Sequence, residues 1–191
     1  LVQQLLDRGH DVRAIVRSPD RVPAELRNNS NLSLIQASLL ELSDAEIAQH
    51  VAGCDAVASC LGHNLTFAGI FGHPRLLVTE ATRRLCKAIE STTPARPVRF
   101  VLMNTTGNSN RDIPERVSPF EQIAVGLIRA LLPPHRDNEQ AADYLRTQIG
   151  QDNPAVEWCV VRPDSLIDEE QVSDYQTHPS PTRSAIFNPG K

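Results

Sequence analysis

The chain alternates between two hydrophobic rhythms. Leu1, Val2, Leu5 and Leu6 share one face of a helix that Gly9 and His10 close. Residues 12–17 then place Val12, Ala14 and Val16 at every second position, the period of a short strand, and run into Arg17-Ser18-Pro19. A short helix is predicted over 23–27 and a second strand over 32–37. Ser43-Asp44-Ala45-Glu46 predicts a helix start: Ser43 caps, Glu46 completes a capping box, and the helix runs to Gly53. Residues 55–61 form an apolar strand ending at Gly62. Residues 74–90 form a long amphipathic helix with Leu76, Leu77, Ala81, Leu85 and Ile89 facing inward. A strand over 98–104 leads into Thr105-Thr106-Gly107. A helix over 119–132 is expected to stop at Pro133-Pro134. Another helix follows over 136–149, then a last strand over 156–161 before Arg162-Pro163. Beyond Asp168 the chain is polar and Pro-rich, with a short piece at 185–187 as the one regular element expected there. No internal repeat is present.

Strands alternating with helices predict a mostly parallel sheet covered on both faces, a doubly wound, Rossmann-like α/β fold in three layers. The runs Ala56-Val57-Ala58 and Phe100-Val101-Leu102-Met103 suit strands buried on both sides. In such a sheet the ligand crevice lies outside the carboxyl ends of the strands. Five of these ends carry small or polar residues: Arg17-Ser18, Ala37-Ser38, Gly62-His63-Asn64, Asn104-Thr105-Thr106 and Arg162-Pro163. Where a dinucleotide binds this kind of fold, an acidic residue after the second strand selects NAD and an arginine accommodates the 2′-phosphate of NADP. The strand over 12–17 ends in Arg17, with no carboxylate before Asp20. The alternative is a solvated arginine at a strand end.

Composition changes this picture little. The 191 residues fit one domain, and a formal net charge of −4 gives no bulk attraction to nucleic acid or an anionic membrane. Lysine occurs only at Lys87 and Lys191, which limits lysine-based catalysis. Of the four cysteines, none lies in a C-x-x-C pair or a Cys/His cluster with zinc spacing, so no metal site is expected. Three lie in apolar runs and are expected as buried, reduced thiols, which suits the cytoplasm. Four Asn-x-Ser/Thr triplets are read as chance, and no apolar run is long enough to cross a bilayer.

The segments LVQQLLDRGHDVRAIVRSPDR, AVASCLGHN, RFVLMNTTG and WCVVRPDSLID, in that order, resemble the atypical short-chain dehydrogenase/reductases of the NmrA-like, flavin-reductase-like group. The helix EQAADYLRTQ resembles the same family. The resemblance implies an NAD(P)-binding Rossmann-like domain over 1–168 and a C-terminal segment over 169–191 on the substrate side. It also implies a first strand and a Gly-rich pyrophosphate turn ahead of the opening helix, roughly ten to fifteen residues that are not in this sequence. That strand would separate the strand over 12–17 from the one over 55–61. The expectation is therefore that the sequence is a fragment; Gly190-Lys191 could mark a second cut.

Two departures from the family pattern bear on chemistry. Gln36-Ala37-Ser38 stands where Gly-Asp is usual. Tyr144 is followed four residues on by Gln148 and not by the Lys that would lower the Tyr pKa, which argues against orthodox carbonyl or alcohol chemistry. The resemblance assigns Arg17, Ser18 and Arg21 to the 2′-phosphate, with a turn and helix cap as the alternative. Ser38 and Leu39 fall at the adenine edge, and Cys60, Leu61 and Gly62 at the adenosine or ribose. Asn104, Thr105 and Thr106 fall at the nicotinamide ribose and substrate, and Pro163 beside the nicotinamide. His135 and Thr105 are the catalytic candidates; a solvent-facing histidine and a strand-end cap are their alternatives. His63 is a weaker candidate. The functional expectation is an NADPH-dependent reductase passing hydride to a small acceptor such as a flavin or quinone. A non-catalytic NADP(H)-binding sensor is the alternative, and a nonfunctional fragment a weaker third.

Overall fold

A computed structural model describes residues 1–64, 66–115, 118–163, 166 and 174–182. In chain order these form α1 (Val2–Asp7), β1 (Val12–Val16), a 3₁₀ turn (Pro19–Arg21), α2 (Ala24–Arg27), β2 (Leu32–Gln36), α3 (Asp44–Val51) and β3 (Ala56–Ser59). Then come α4 (Phe67–Phe71), α5 (Leu77–Ser91), β4 (Val98–Met103), α6 (Pro119–Leu131), α7 (Pro133–Tyr144), a π turn (Leu145–Ile149) and β5 (Val156–Val161). The short piece expected at 185–187 and the end at Gly190-Lys191 lie outside the described residues.

All pairing among the described strands is parallel. β1 pairs with β2 in one sheet, and β3-β4-β5 form a second. β1 and β3 are not hydrogen-bonded to each other among the described residues. The parallel sheets and flanking helices are the expected α/β Rossmann-like fold.

The core lies on one face of the larger sheet. Phe100 and Leu102 of β4 and Val156 of β5 pack with Val78, Leu85, Cys86 and Ile89 of α5, Ile47 and Val51 of α3, and Ala141 of α7. Burial within the strands alternates. Ala56 and Ala58 are exposed, so the run expected in β3 to be buried on both sides is not; in the β4 run Phe100 and Leu102 are buried and Val101 and Met103 half-buried. The same alternation corrects the thiols: Cys86 is buried, Cys54 is half-buried, and Cys60 and Cys159 are exposed. Burial pushes the Cys86 thiol up to about 12, so it stays protonated. Leu76, expected on the inner face, is exposed at the helix start; Val78, Thr82 and Cys86 complete that face.

Local chemistry accounts for several boundaries. Ser43 Oγ accepts from the Glu46 amide at 3.2 Å, and the Glu46 carboxylate accepts from the Ser43 amide at 2.7 Å, closing the predicted capping box. Ser43→Ala should therefore cost about 1 kcal/mol of stability, read as a small fall in denaturation midpoint; an unchanged midpoint would contradict it. Gly150 ends the π turn at φ +70, where a side chain would be strained, and its carbonyl accepts from Trp158 Nε1 at 2.6 Å. Pro133-Pro134 departs from expectation: α6 ends at Leu131, and the prolines occupy the first turn of α7. Those positions need no amide donor, and proline's fixed φ suits them.

Candidate functional site

The carboxyl end of β4 runs directly into a hydrogen-bonded loop. Asn104 N–H donates to Val161 O at 2.8 Å, which continues the β4–β5 ladder by one residue. The Asn104 side chain then turns inward: Nδ2 donates to Asn138 O of α7 at 3.0 Å, and Oδ1 accepts from the Thr105 amide at 2.8 Å. Asn108 N–H donates to Thr105 O at 3.0 Å, and Gly107 N–H donates to Thr105 Oγ1 at 3.3 Å. The loop over 104–108 is thus a closed turn fastened to α7. Thr106 is half-buried within it.

His135, in the first turn of α7, faces this loop. Its Cε1 and Nδ1 lie 3.4 and 3.9 Å from the point a Cβ on Gly107 would occupy, and Thr105 Oγ1 lies 3.7 Å from the same point. The two catalytic candidates, thirty positions apart in sequence, therefore share one small space. The His135 side chain is one-tenth exposed, not solvent-facing. Burial holds its pKa below the usual histidine value, partly opposed by the Glu139 carboxylate, while Arg129 adds to the lowering.

The carboxyl ends of β1 and β2 form a second group. Val16 pairs with Gln36, and Ala37 N–H donates to Val16 O at 3.0 Å, so Arg17 and Ser38 leave the sheet side by side. Arg17, Ser18 and Arg21 are exposed, and Arg17 and Arg21 hold no ion pair among the described residues. Ser38 and Leu39 are half-buried. Leu39 packs against the core, and its carbonyl accepts from Arg84 of α5 at 3.2 Å. Arg84 also binds Leu40 O at 3.1 Å, which ties α5 to the chain after β2.

The carboxyl end of β3 is the third group. Cys60 is exposed and Leu61 half-buried; nothing lies within 4 Å of where a Gly62 Cβ would stand. His63, weighed as a weak active-site residue, is committed elsewhere. Its Nε2 lies 2.7 Å from Asp137 Oδ2 and its Nδ1 lies 3.1 Å from Gly69 O. Both ring nitrogens face oxygen atoms. Asp137 is fully buried and also accepts from the Val78 and Thr79 amides at 2.8 and 2.9 Å.

Beyond β5, Pro163 is half-buried and follows Arg162. Arg162 donates to Asn108 O at 2.7 Å, to the buried Glu115 at 2.6 Å and to Pro179 O at 3.3 Å. It thereby joins the loops that follow β4 and β5 to residues 174–182. Tyr144 is half-buried and burial raises its pKa, while Gln148 bonds Thr147 at 3.3 Å. That pair is not built to donate a proton.

Sequence reasoning missed Asp137, Glu139 and Arg129. One signal was present: Glu139 lies four residues after His135, on the same helix face. Asp137 and His63 lie seventy-four positions apart, and nothing local announces their contact.

Two groups of residues stand at the carboxyl ends of the strands. An unpaired cation stands at the end of β1, and a hydroxyl and an imidazole converge at the end of β4. Residues 1–185 match the model of a family described as NAD(P)H-binding. The chain belongs to this NAD(P)H-binding family. The atypical short-chain dehydrogenase/reductase resemblance agrees with that membership.

Solved structures show the same fold. One is a protein of Streptococcus pneumoniae provisionally described as an NADH-flavin reductase: 23% identity, TM-score 0.50, 85% of this chain and 64% of that one covered. A UDP-glucuronic acid 4-epimerase of Bacillus cereus, solved with UDP-glucuronic acid and NAD, gives 14% identity and TM-score 0.59 over 86% of this chain and 52% of its own. The enzyme WbmG of Bordetella bronchiseptica, solved with NAD and UDP, gives 12% identity and TM-score 0.58 over 85% and 48%. The chain thus spans between about half and two thirds of these proteins' lengths. No curated protein matches. Among the described residues, no helix is long and apolar enough to cross a membrane.

Proposed function

We propose that this NAD(P)H-binding chain serves an NADP(H)-dependent oxidoreductase of the NmrA-like, flavin-reductase-like kind, with a small acceptor such as a flavin or quinone. The observation that carries the reading is the convergence of His135 and Thr105 on one space at the end of β4. When bound, the reduced nicotinamide supplies a hydride, two electrons with one hydrogen nucleus. The acceptor then needs one proton to complete its reduction. His135 supplies that proton, directly or through the Thr105 hydroxyl, and regains one from solvent. Asn104 and Asn138 hold the loop that positions Thr105. Pro163, Cys60, Leu61, Gly62, Ser38 and Leu39 lie at strand ends that would line the cofactor's length. Residues 1–168 form the nucleotide-binding domain in this reading, and 169–191 belong to the acceptor side.

Arg17 carries the NADP preference, with Ser18 and Arg21 beside it. Its guanidinium needs no rearrangement to meet a phosphate, since it is exposed and unpaired among the described residues. A charged hydrogen bond is worth about 1.5–3 kcal/mol. Arg17→Ala should therefore weaken NADPH binding by about 10- to 100-fold and leave NADH binding nearly unchanged, measured by titration calorimetry. Equal losses for both nucleotides, or none, would remove the 2′-phosphate role. NADPH oxidation against a panel of flavins and quinones tests the oxidoreductase reading as a whole. Tight binding without turnover would favour a nucleotide sensor instead.

A further inference from the structure

We propose that Glu139, clamped by Arg129, is a positioning residue that holds the His135 ring with Nε2–H toward its carboxylate and Nδ1 open to the Thr105–Gly107 loop. This deepens the reading above and rests on His135 as the proton-handling group. Three observations carry it. Glu139 is buried, with a side chain only 6% exposed, and sits one helical turn after His135, with Oε1 3.5 Å from Nε2. Arg129 of α6 grips the same carboxylate through two nitrogens, Nε at 2.7 Å and one terminal nitrogen, so the carboxylate cannot swing away. The His135 Nε2 is itself buried and bonded to nothing among the described residues. A buried N–H beside a fixed carboxylate is favoured over a bare nitrogen lone pair facing that negative charge. The proton therefore sits on Nε2, and the lone pair of Nδ1 points at the loop where the acceptor would be.

The 3.5 Å separation is long for a hydrogen bond; contacts of this kind commonly tighten when ligand binds. When His135 is protonated at Nδ1, the cation lies against the Glu139 carboxylate, and donation of that Nδ1 proton returns the ring to the Nε2–H form. Glu139 thus serves the ring in both states and never meets the acceptor. The charged groups facing the ring are Glu139 from its own helix and Arg129 from α6. Among the described residues, the part of the loop after β4 that lies against the ring is neutral Thr105 and Gly107. Burial and Arg129 lower the His135 pKa while Glu139 raises it, so removing each charge moves the titration in a known direction.

Nitrogen NMR of the histidine side chains in the full chain tests this without any need for turnover. Wild-type His135 should show the Nε2–H tautomer at neutral pH and titrate below the ordinary histidine value. Glu139→Gln keeps the shape but not the charge. It should mix the tautomers, move the titration to still lower pH, and lower kcat for NADPH oxidation by about 10- to 100-fold, the size seen when partners orienting a metal-bound histidine are removed. The KM for NADPH should hold. A wild-type ring protonated on Nδ1 would overturn the proposal with no variant required. An unchanged tautomer and titration in Glu139→Gln would overturn it as well. The underlying reading fails separately: if His135→Asn retains full turnover, His135 is not the proton donor, whatever Glu139 does to its tautomer.

Discussion

Asp137→Ala should lower the melting temperature by roughly 6–20 °C, the largest stability loss expected from any polar substitution in this chain. The carboxylate is fully buried and occupied on both oxygens. It accepts from the second and third amides of α5, Val78 and Thr79, groups that have no partner within their own helix. Its second role is the ion pair with His63, whose side chain is only 7% exposed. Alanine leaves two buried amides and an imidazole without an acceptor at once. Removing one member of a buried pair costs about 3–5 kcal/mol, because the other stays behind uncompensated. For a domain of this size each kcal/mol is worth about 2–4 °C. His63→Ala should cost less, since the α5 amides keep their acceptor. The double variant should cost clearly less than the two single losses added together. A melt of Asp137→Ala within 2 or 3 °C of wild type would sink this account. The bridge also links function to fold. It joins the chain after β3, the α5 start and the α7 start, so the variant should loosen nucleotide binding too.

That bridge marks the boundary of what the sequence could reveal. Elements governed by neighbours were readable. Ser43 and Glu46 announced their helix start, and the strand expected over 156–161 has the bounds of β5. Signals with two meanings were not. Proline after a helix and proline before one look alike, and Pro133-Pro134 turned out to open α7. Apolar runs in β3 and β4 did not say how many faces are covered; Ala56 and Ala58 are exposed while Val101 and Met103 are half-buried. α4 was invisible because five residues carry too little periodicity to register. The site divided in the same way. Arg17, Asn104 and Thr105 were readable as candidates because parallel topology places ligands at strand ends, and at strand ends they lie. The partners that tune a site come from distant positions. Arg129 reaches Glu139 from another helix, and Asp137 reaches His63 across most of the fold. Arg129 and Glu139 are ten positions apart but on separate helices, and Asp137 and His63 are seventy-four apart, so only folding brings these groups together.

His135→Asn should produce the opposite signature from Asp137→Ala, although the two residues lie two positions apart on one helix. Turnover of NADPH should fall by about 10²- to 10⁴-fold, the range for loss of a positioned acid or base. Stability should fall far less than in Asp137→Ala, because the His135 Nε2 contact to Glu139, at 3.5 Å, is longer than a hydrogen bond. The pH dependence gives the finer test. The donating form is the cation, and burial disfavours it, so its pKa lies below the ordinary value of 6.5. Reduction in the wild type should therefore be fastest at acid pH and decline as pH rises through that depressed pKa. The asparagine variant should lose this limb and run flat over the same window. Stability has a related dependence. The unfolded ring takes up protons at a higher pH than the folded one, so this site's contribution is present above 6.5 and is lost as pH falls through the folded value. Acid thus favours the proton-donating form while weakening the fold that holds it. Activity and stability should diverge below neutral pH in the wild type. In His135→Asn this site's contribution to that divergence should vanish. A variant that keeps both the acid limb and wild-type turnover would move the proton donor elsewhere, with the Thr105 hydroxyl as the remaining group in the same space.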